Sequence, residues 1–128
     1  MKRRIVVAAV ALVALFAFGG FSLLTAGTAR AQATDECGPA TTIDSLVTCV
    51  QHCREQRFID NQGVANSLLA KLHAAQAAED RGQIATAVNN LSAFIHEVQA
   101  QAGKHIAQPH ADHMVMHAQM VIAALENG

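Results

Sequence analysis

The stretch GVANSLLAKLHAAQAAEDRGQIATAVNNLSAFIHEVQAQA (residues 63–102) decides the fold, because two helical patterns follow each other with one break between them. Before the break, apolar residues recur every three or four positions, and Leu68, Leu69 and Leu72 are the strongest core signal. After it, the same spacing runs over residues 84–102. This period is helical, and Arg81-Gly82 is a typical helix end, since glycine readily adopts the left-handed conformation there. The stretch predicts two antiparallel helices.

One further helix is predicted on each side of this pair. Thr42 can cap a helix that begins at Ile43 and runs to about residue 57, and Asp60 or Asn61 can cap the next one. Pro109 suits the first turn of a last helix, which ends near residue 126. No segment alternates with a period of two. The predicted fold class is therefore all-α, a small antiparallel bundle of about four helices after a cleaved signal peptide.

The N-terminal residues predict export from the cytoplasm. A basic start, MKRR, is followed by an apolar run over residues 5–26 and by small residues that fit cleavage after Ala33, or after Ala31 as a second choice. An uncleaved membrane anchor is the alternative, because the run is long enough to span a bilayer. Gly19-Gly20 interrupts the run and favours cleavage. We predict a secreted, periplasmic or otherwise extracytoplasmic protein, attached to a membrane only if this segment is retained.

Removal of residues 1–33 changes the charge balance. The remaining 95 residues carry five basic and ten acidic groups, a formal charge of −5 with neutral histidines. An acidic domain without a basic run is a poor nucleic-acid binder. Protonation of all seven histidines would shift the charge to about +2, because histidine titrates near neutral pH. Binding to a charged partner is therefore expected to depend on pH.

The chain divides into three predicted segments, and its cysteines lie in the second. These are a signal peptide (1–33), a cysteine-bearing arm and helix (34–57) and a three-helix domain (58–128). Cysteines of exported proteins usually form disulfides. Cys49 and Cys53 lie one helical turn apart and are awkward to bridge, so we expect Cys37 to close onto one of them. The odd thiol could join two chains in a homodimer. A metal cluster of Cys49, His52 and Cys53 is the alternative, although it lacks an obvious fourth ligand nearby.

The segment HADHMVMHAQM (residues 110–120) is the main candidate site. On a helical wheel His110, His113 and His117 share a stripe about 60° wide, at the edge of the apolar face, with Met120 beside it. Imidazoles suit Cu, Ni or Zn, and a thioether favours Cu(I). Two interpretations follow: solvated histidines at the edge of a helix, or a metal site formed by these four side chains and completed by a neighbour such as His96 or His105.

Several of these motifs resemble the FIMAH-type domain, a small helical module of secreted bacterial and archaeal proteins. The matching features are SLLAKL (Ser67–Leu72), Arg81-Gly82, and AFIHEVQAQAGKHI (Ala93–Ile106), and the resemblance covers roughly residues 58–125. It implies an accessory or interaction module without known catalysis and supplies no functional residues. The histidines and methionines of the last helix depart from the leucine and alanine usual in such modules.

The sequence contains no recognisable catalytic motif. It has no glycine loop for phosphates, no C-x-x-C pair and no G-x-S-x-G. Ser45, Ser67 and Ser92 lie within helical patterns without a positioned base. We therefore predict an exported module that is not an enzyme and that binds an unidentified protein or cell-surface partner, but no nucleic acid. The alternative is an extracytoplasmic protein that binds Cu, Ni or Zn through histidine and methionine.

Overall fold

The computed structural model describes residues 41–128, and these fold as four helices. They are α1 (Ile43–Glu55), α2 (Gln62–Glu79), α3 (Ile84–Gln101) and α4 (Gln108–Asn127). Between residues 41 and 128 no strand forms, and isolated β-bridges occur only beside the turns. The all-α prediction is therefore confirmed. The predicted signal peptide, its cleavage sites and Cys37 lie outside the described residues.

The helices form a bundle in which each packs against two others. α1 contacts α2, α2 contacts α3, α3 contacts α4, and α4 returns to α1. Neighbours are antiparallel: Cys53 near the end of α1 lies beside His110 near the start of α4, and Ser67 of α2 hydrogen-bonds Glu97 of α3. None of these four helices combines the length and apolar character that crossing a membrane requires.

The core is mostly aliphatic, and Phe94 is its largest side chain. Leu68 and Leu72 are fully buried, as the 63–102 stretch predicts, and the ring of Phe94 is fully buried with them. All four helices contribute, so α1 belongs to the same core as the rest of the bundle. The largest side chains enclosed are Phe94, Ile43, Leu46, Leu68, Leu72, Leu91, Ile106, Met114, Val50, Val98 and Val121.

Local side-chain chemistry sets the helix ends. Thr42 and Ser45 form a reciprocal capping box: the Thr42 hydroxyl accepts the Ser45 N–H, and the Ser45 hydroxyl accepts the Thr42 N–H. Asn61, and not Asp60, caps α2, because its Oδ1 accepts the Val64 N–H at 3.1 Å. Gly82 has a φ of 72°, the left-handed conformation predicted after α2.

Replacement of the first cap should weaken the fold measurably. We expect Thr42→Ala to lower the free energy of unfolding by about 1 kcal/mol, since an N–H at the start of α1 loses its side-chain acceptor. Urea denaturation followed by circular dichroism measures this loss. Thr48→Ala is the matched control, because the Thr48 hydroxyl only donates to the Asp44 carbonyl within the same helix. Equal losses in the two variants would contradict a capping role.

The two connections at one end of the bundle are held together by backbone hydrogen bonds. We call this the two-loop end; it comprises residues 56–61, between α1 and α2, and residues 102–107, between α3 and α4. The Asp60 N–H donates to the His105 carbonyl at 3.0 Å, and the Ala107 N–H donates to the Phe58 carbonyl at 2.9 Å. Ile59 and Ile106 form a β-bridge, and both side chains are buried. These contacts hold four helix ends together, namely the ends of α1 and α3 and the starts of α2 and α4.

Candidate functional site

The histidine segment lies in α4. The face of this helix that is buried differs from the face that its apolar pattern predicts. The pattern predicts a buried arc centred between Met114 and Val115. In the structure Met114 is fully buried, but Val115 and Ile122 are only partly so, and His117 is buried instead. The buried arc is shifted by about 40° toward the histidines. Since α4 packs against both α1 and α3, these two neighbours set its rotation.

His117 is the buried polar side chain of this site. Only 2% of its surface is exposed, so the prediction that it lies at the solvated edge of the helix is wrong. Among the described residues, its Nδ1 has no hydrogen-bond partner. Burial lowers the pKa of His117 below its usual 6.5, and the neighbouring His113 lowers this pKa further. The side chain is therefore held as neutral imidazole, which can act as a metal ligand.

His113 lies against His117 and is half-exposed. Their ring centroids are 4.1 Å apart and the ring planes are tilted by 48°, as expected for residues one helical turn apart. Met120 follows on the same side of α4 and is 39% exposed. The structure thus brings two of the four predicted ligands, His113 and His117, into contact, and helical spacing places Met120 on the same side.

His110, the fourth predicted ligand, turns toward the end of α1. Its ring stacks on Phe58, with centroids 3.8 Å apart and planes 16° from parallel. Its Nδ1 lies 3.9 Å from the Cys53 sulfur. Packing against the two-loop end therefore directs His110 away from a shared site with His113 and His117.

His105, which was expected to complete the site, and the nearby acidic side chains Asp112 and Glu97 have other partners. The His105 imidazole pairs with the Asp60 carboxylate at 2.9 Å, and Asp112 accepts a hydrogen bond from Gln108 at 2.8 Å. Glu97 binds Ser67 and Lys71 across the α2–α3 interface. In the described part of the chain, no three His, Cys, Asp or Glu side chains converge to hold a metal ion. Metal binding at His113, His117 and Met120 stays a prediction.

The two described cysteines differ in state. Cys49 is in a disulfide, whereas Cys53 is a thiol and only 1% exposed. The two therefore do not bridge each other, and Cys49 has no thiolate to offer a metal together with His52. A homodimer joined through the odd cysteine stays a prediction. The predicted partner Cys37 lies outside the described residues, so that pairing stays a prediction.

One grouping of charge was not evident from the sequence. Two adjoining cavities of about 320 and 200 Å³ open at the two-loop end, and both are lined by Arg57 and Asp60. Arg54 lines the larger cavity and Lys104 the smaller. Arg54 lies in the last turn of α1, Arg57 in the connection that follows it, and Lys104 in the connection between α3 and α4, far away in sequence. Only the spacing of Arg54 and Arg57 at the end of a predicted helix could have suggested a cluster.

Comparison with known proteins identifies one family. The family model of the FIMAH domain matches residues 43–123. The match begins where α1 begins, rather than at residue 58, which agrees with the place of α1 in the shared core. No curated protein matches the chain, and no solved structure does.

Proposed function

The chain belongs to the FIMAH domain family, and from this premise we propose that it is an exported, non-catalytic helical module that binds a protein or cell-surface partner. The observation that carries the proposal is an exposed, uncharged face on α4. Met116 and Met120 are 47% and 39% exposed, and in residues 41–128 no other large hydrophobic side chain is exposed.

This face continues along α4 without a charge. Pro109, Ala123 and Ala124 are exposed with the two methionines, and His113 borders them. Together they span an arc of about 100° that contains neither Asp112 nor Glu126. An apolar strip of this kind loses little on desolvation, and the flexible thioether side chains can fit an irregular partner surface.

The polar contacts of the bundle support a role without catalysis. The thiol of Cys53 and the imidazole of His110 adjoin, but the thiol is buried and no substrate can reach it. Ser67 and Lys71 also adjoin, yet the Lys71 ammonium is paired with Glu97 at 2.6 Å and donates to the serine hydroxyl. A donor in this position does not activate a nucleophile.

Charges placed on the exposed face should abolish partner binding. We expect Met116→Asp/Met120→Asp to keep its circular dichroism spectrum, because both side chains are exposed, and to bind at least about tenfold more weakly to cells of the producing organism. Labelled protein and flow cytometry measure this binding. Ala85→Asp/Ala100→Asp adds the same two charges to exposed positions of α3 and should bind normally. Equal binding by all three proteins would refute this face as the interface.

Metal binding is the second candidate function, and the buried Nδ1 of His117 without a partner favours it. A soft ion held by His113, His117 and the Met120 thioether would supply the missing interaction, and this ligand set suits Cu(I) better than Ni or Zn. In competition with a chromophoric Cu(I) chelator, we expect one ion per chain in the wild type. Both His113→Ala and Met120→Leu should weaken binding, whereas exposed His73→Ala should not. Identical affinities in all four proteins would exclude this site.

A further inference from the structure

The cationic side chains of this acidic protein are unevenly distributed. Residues 41–128 contain five Lys and Arg side chains, and three of them line the two cavities at the two-loop end. Of the other two, Lys71 is paired with Glu97, and Arg81 hydrogen-bonds Gln83 in the α2–α3 turn. Within the described residues Arg54, Arg57 and Lys104 form no salt bridge. The cations of the described residues are therefore concentrated at the two-loop end.

One acidic side chain, Asp60, lines the same cavities. It is paired with the His105 Nδ1 at 2.9 Å, so part of its capacity as an acceptor is already used. The backbone bonds between the two loops fix the segments that carry Asp60 and Lys104, both of which line the smaller cavity. A backbone held in this way needs little further ordering when a ligand binds.

Arg57 occupies a position that an arginine seldom takes. Its φ of 64° is left-handed, and it is the single non-glycine residue with positive φ among the described residues. Glycine would adopt this conformation without strain. An arginine held there at a cost in backbone energy points to a role for its side chain, and that side chain lines both cavities.

The N-terminus of α2 adds to the positive electrostatic potential at this site. Gln62, the first residue of α2, lines the larger cavity with Arg54 and Arg57. The first amides of this 18-residue helix carry a partial positive charge. Guanidinium groups bind paired anionic oxygens through two parallel hydrogen bonds.

We propose that the two-loop end is a binding site for an oxyanion group, a phosphate or a carboxylate, held by Arg54, Arg57 and Lys104. Three cations at one end of the bundle match a single such group on a ligand. They fall short of the extended basic surface that a nucleic-acid duplex requires. The proposal does not depend on the exposed methionines of α4, since Met116 and Met120 line neither cavity.

Amide NMR spectra of the protein, recorded during titration with sodium phosphate at constant ionic strength, test the site directly. We expect saturable shifts confined to residues 54–64 and 102–107. A parallel titration with sodium acetate distinguishes the source of the oxyanion, since the tighter of the two ions identifies the phosphate or the carboxylate class. Shifts that fail to saturate, or that spread over the whole bundle with both ions, would overturn the proposal.

Variants separate the role of the side chain from that of the backbone. Arg57→Gly should bind phosphate about tenfold more weakly, because a charge-assisted hydrogen-bond pair is lost, while its thermal stability stays equal or rises as the strain is relieved. Arg54→Gln should also bind more weakly, and Asp60→Asn should bind more tightly. Arg81→Gln removes the same charge at the far end of α2 and should bind as the wild type does. If Arg81→Gln weakens binding as much as Arg57→Gly does, phosphate binding depends only on the net charge of the protein, and the proposed site is refuted.

Discussion

Phe94→Ala should lower the free energy of unfolding by about 3–5 kcal/mol, the largest effect expected of any single substitution here. The Phe94 ring is fully buried and is the largest side chain inside the mostly aliphatic core of residues 41–128. Its removal loses both the transfer free energy of the ring and the contacts around the cavity it leaves. Since small domains are stable by only about 5–15 kcal/mol, about a fifth or more of the total would be lost.

Urea denaturation followed by far-ultraviolet circular dichroism measures this loss. Phe58→Ala is the matched control, because Phe58 is the same residue type but only partly buried, where it stacks on His110. We expect this control to lose clearly less stability. If the two variants lose the same amount, burial in the core does not determine the contribution of these rings.

Acid should lower the free energy of unfolding of the bundle because His117 is buried. In the folded protein burial lowers the pKa of His117 below 6.5, whereas the unfolded chain has the ordinary value. The unfolded state therefore binds the proton first as the pH falls, and stability decreases with it. The stabilisation is complete above the unfolded pKa and is lost progressively as the pH falls from about 6.5 toward the lower folded pKa.

His117→Leu should remove this acid sensitivity and stabilise the protein at neutral pH by about 1–3 kcal/mol, because the buried Nδ1 no longer lacks a partner. Unfolding free energies measured in urea at several pH values between 5 and 8 test both effects. His113→Ala should reduce the acid sensitivity only in part, since burial is the larger cause of the lowered pKa. Exposed His73→Leu is the control. An unchanged pH profile in His117→Leu would show that other groups cause the acid effect.

The lowered pKa of His117 also reduces the change in net charge that composition predicts near neutral pH. Protonation of all seven histidines was expected to shift the net charge from −5 to about +2. His117 resists protonation in the folded state, so the last positive charge is acquired only at lower pH or on unfolding. His117 therefore contributes less to a charge change near neutral pH than composition predicts.

Helix positions and caps were predictable because they depend on residues close together in the chain. Thr42 and Ser45 are three positions apart, and Asn61 caps Val64 over the same distance. The SLLAKL motif was equally readable, since Leu68 and Leu72 occur at helical spacing and lie in the core, although Leu69, predicted with them, is only partly buried. The choice between Asp60 and Asn61 as the cap was not predictable from nearby residues. The Asp60 carboxylate pairs with His105, which lies 45 positions later in the chain.

The candidate sites were decided by contacts between distant segments. Helical spacing placed His110, His113 and His117 on one stripe, but the packing of α4 against α1 and α3 buried His117, and Phe58 and Cys53 drew His110 away. Arg57 and Lys104 came together only through the bridge between Ile59 and Ile106. The sequence by itself determined the four helices, because hydrogen bonding and apolar period act within a few residues. The tertiary structure decided which side chains meet, because the rotation of a helix about its own axis depends on the neighbours against which it packs.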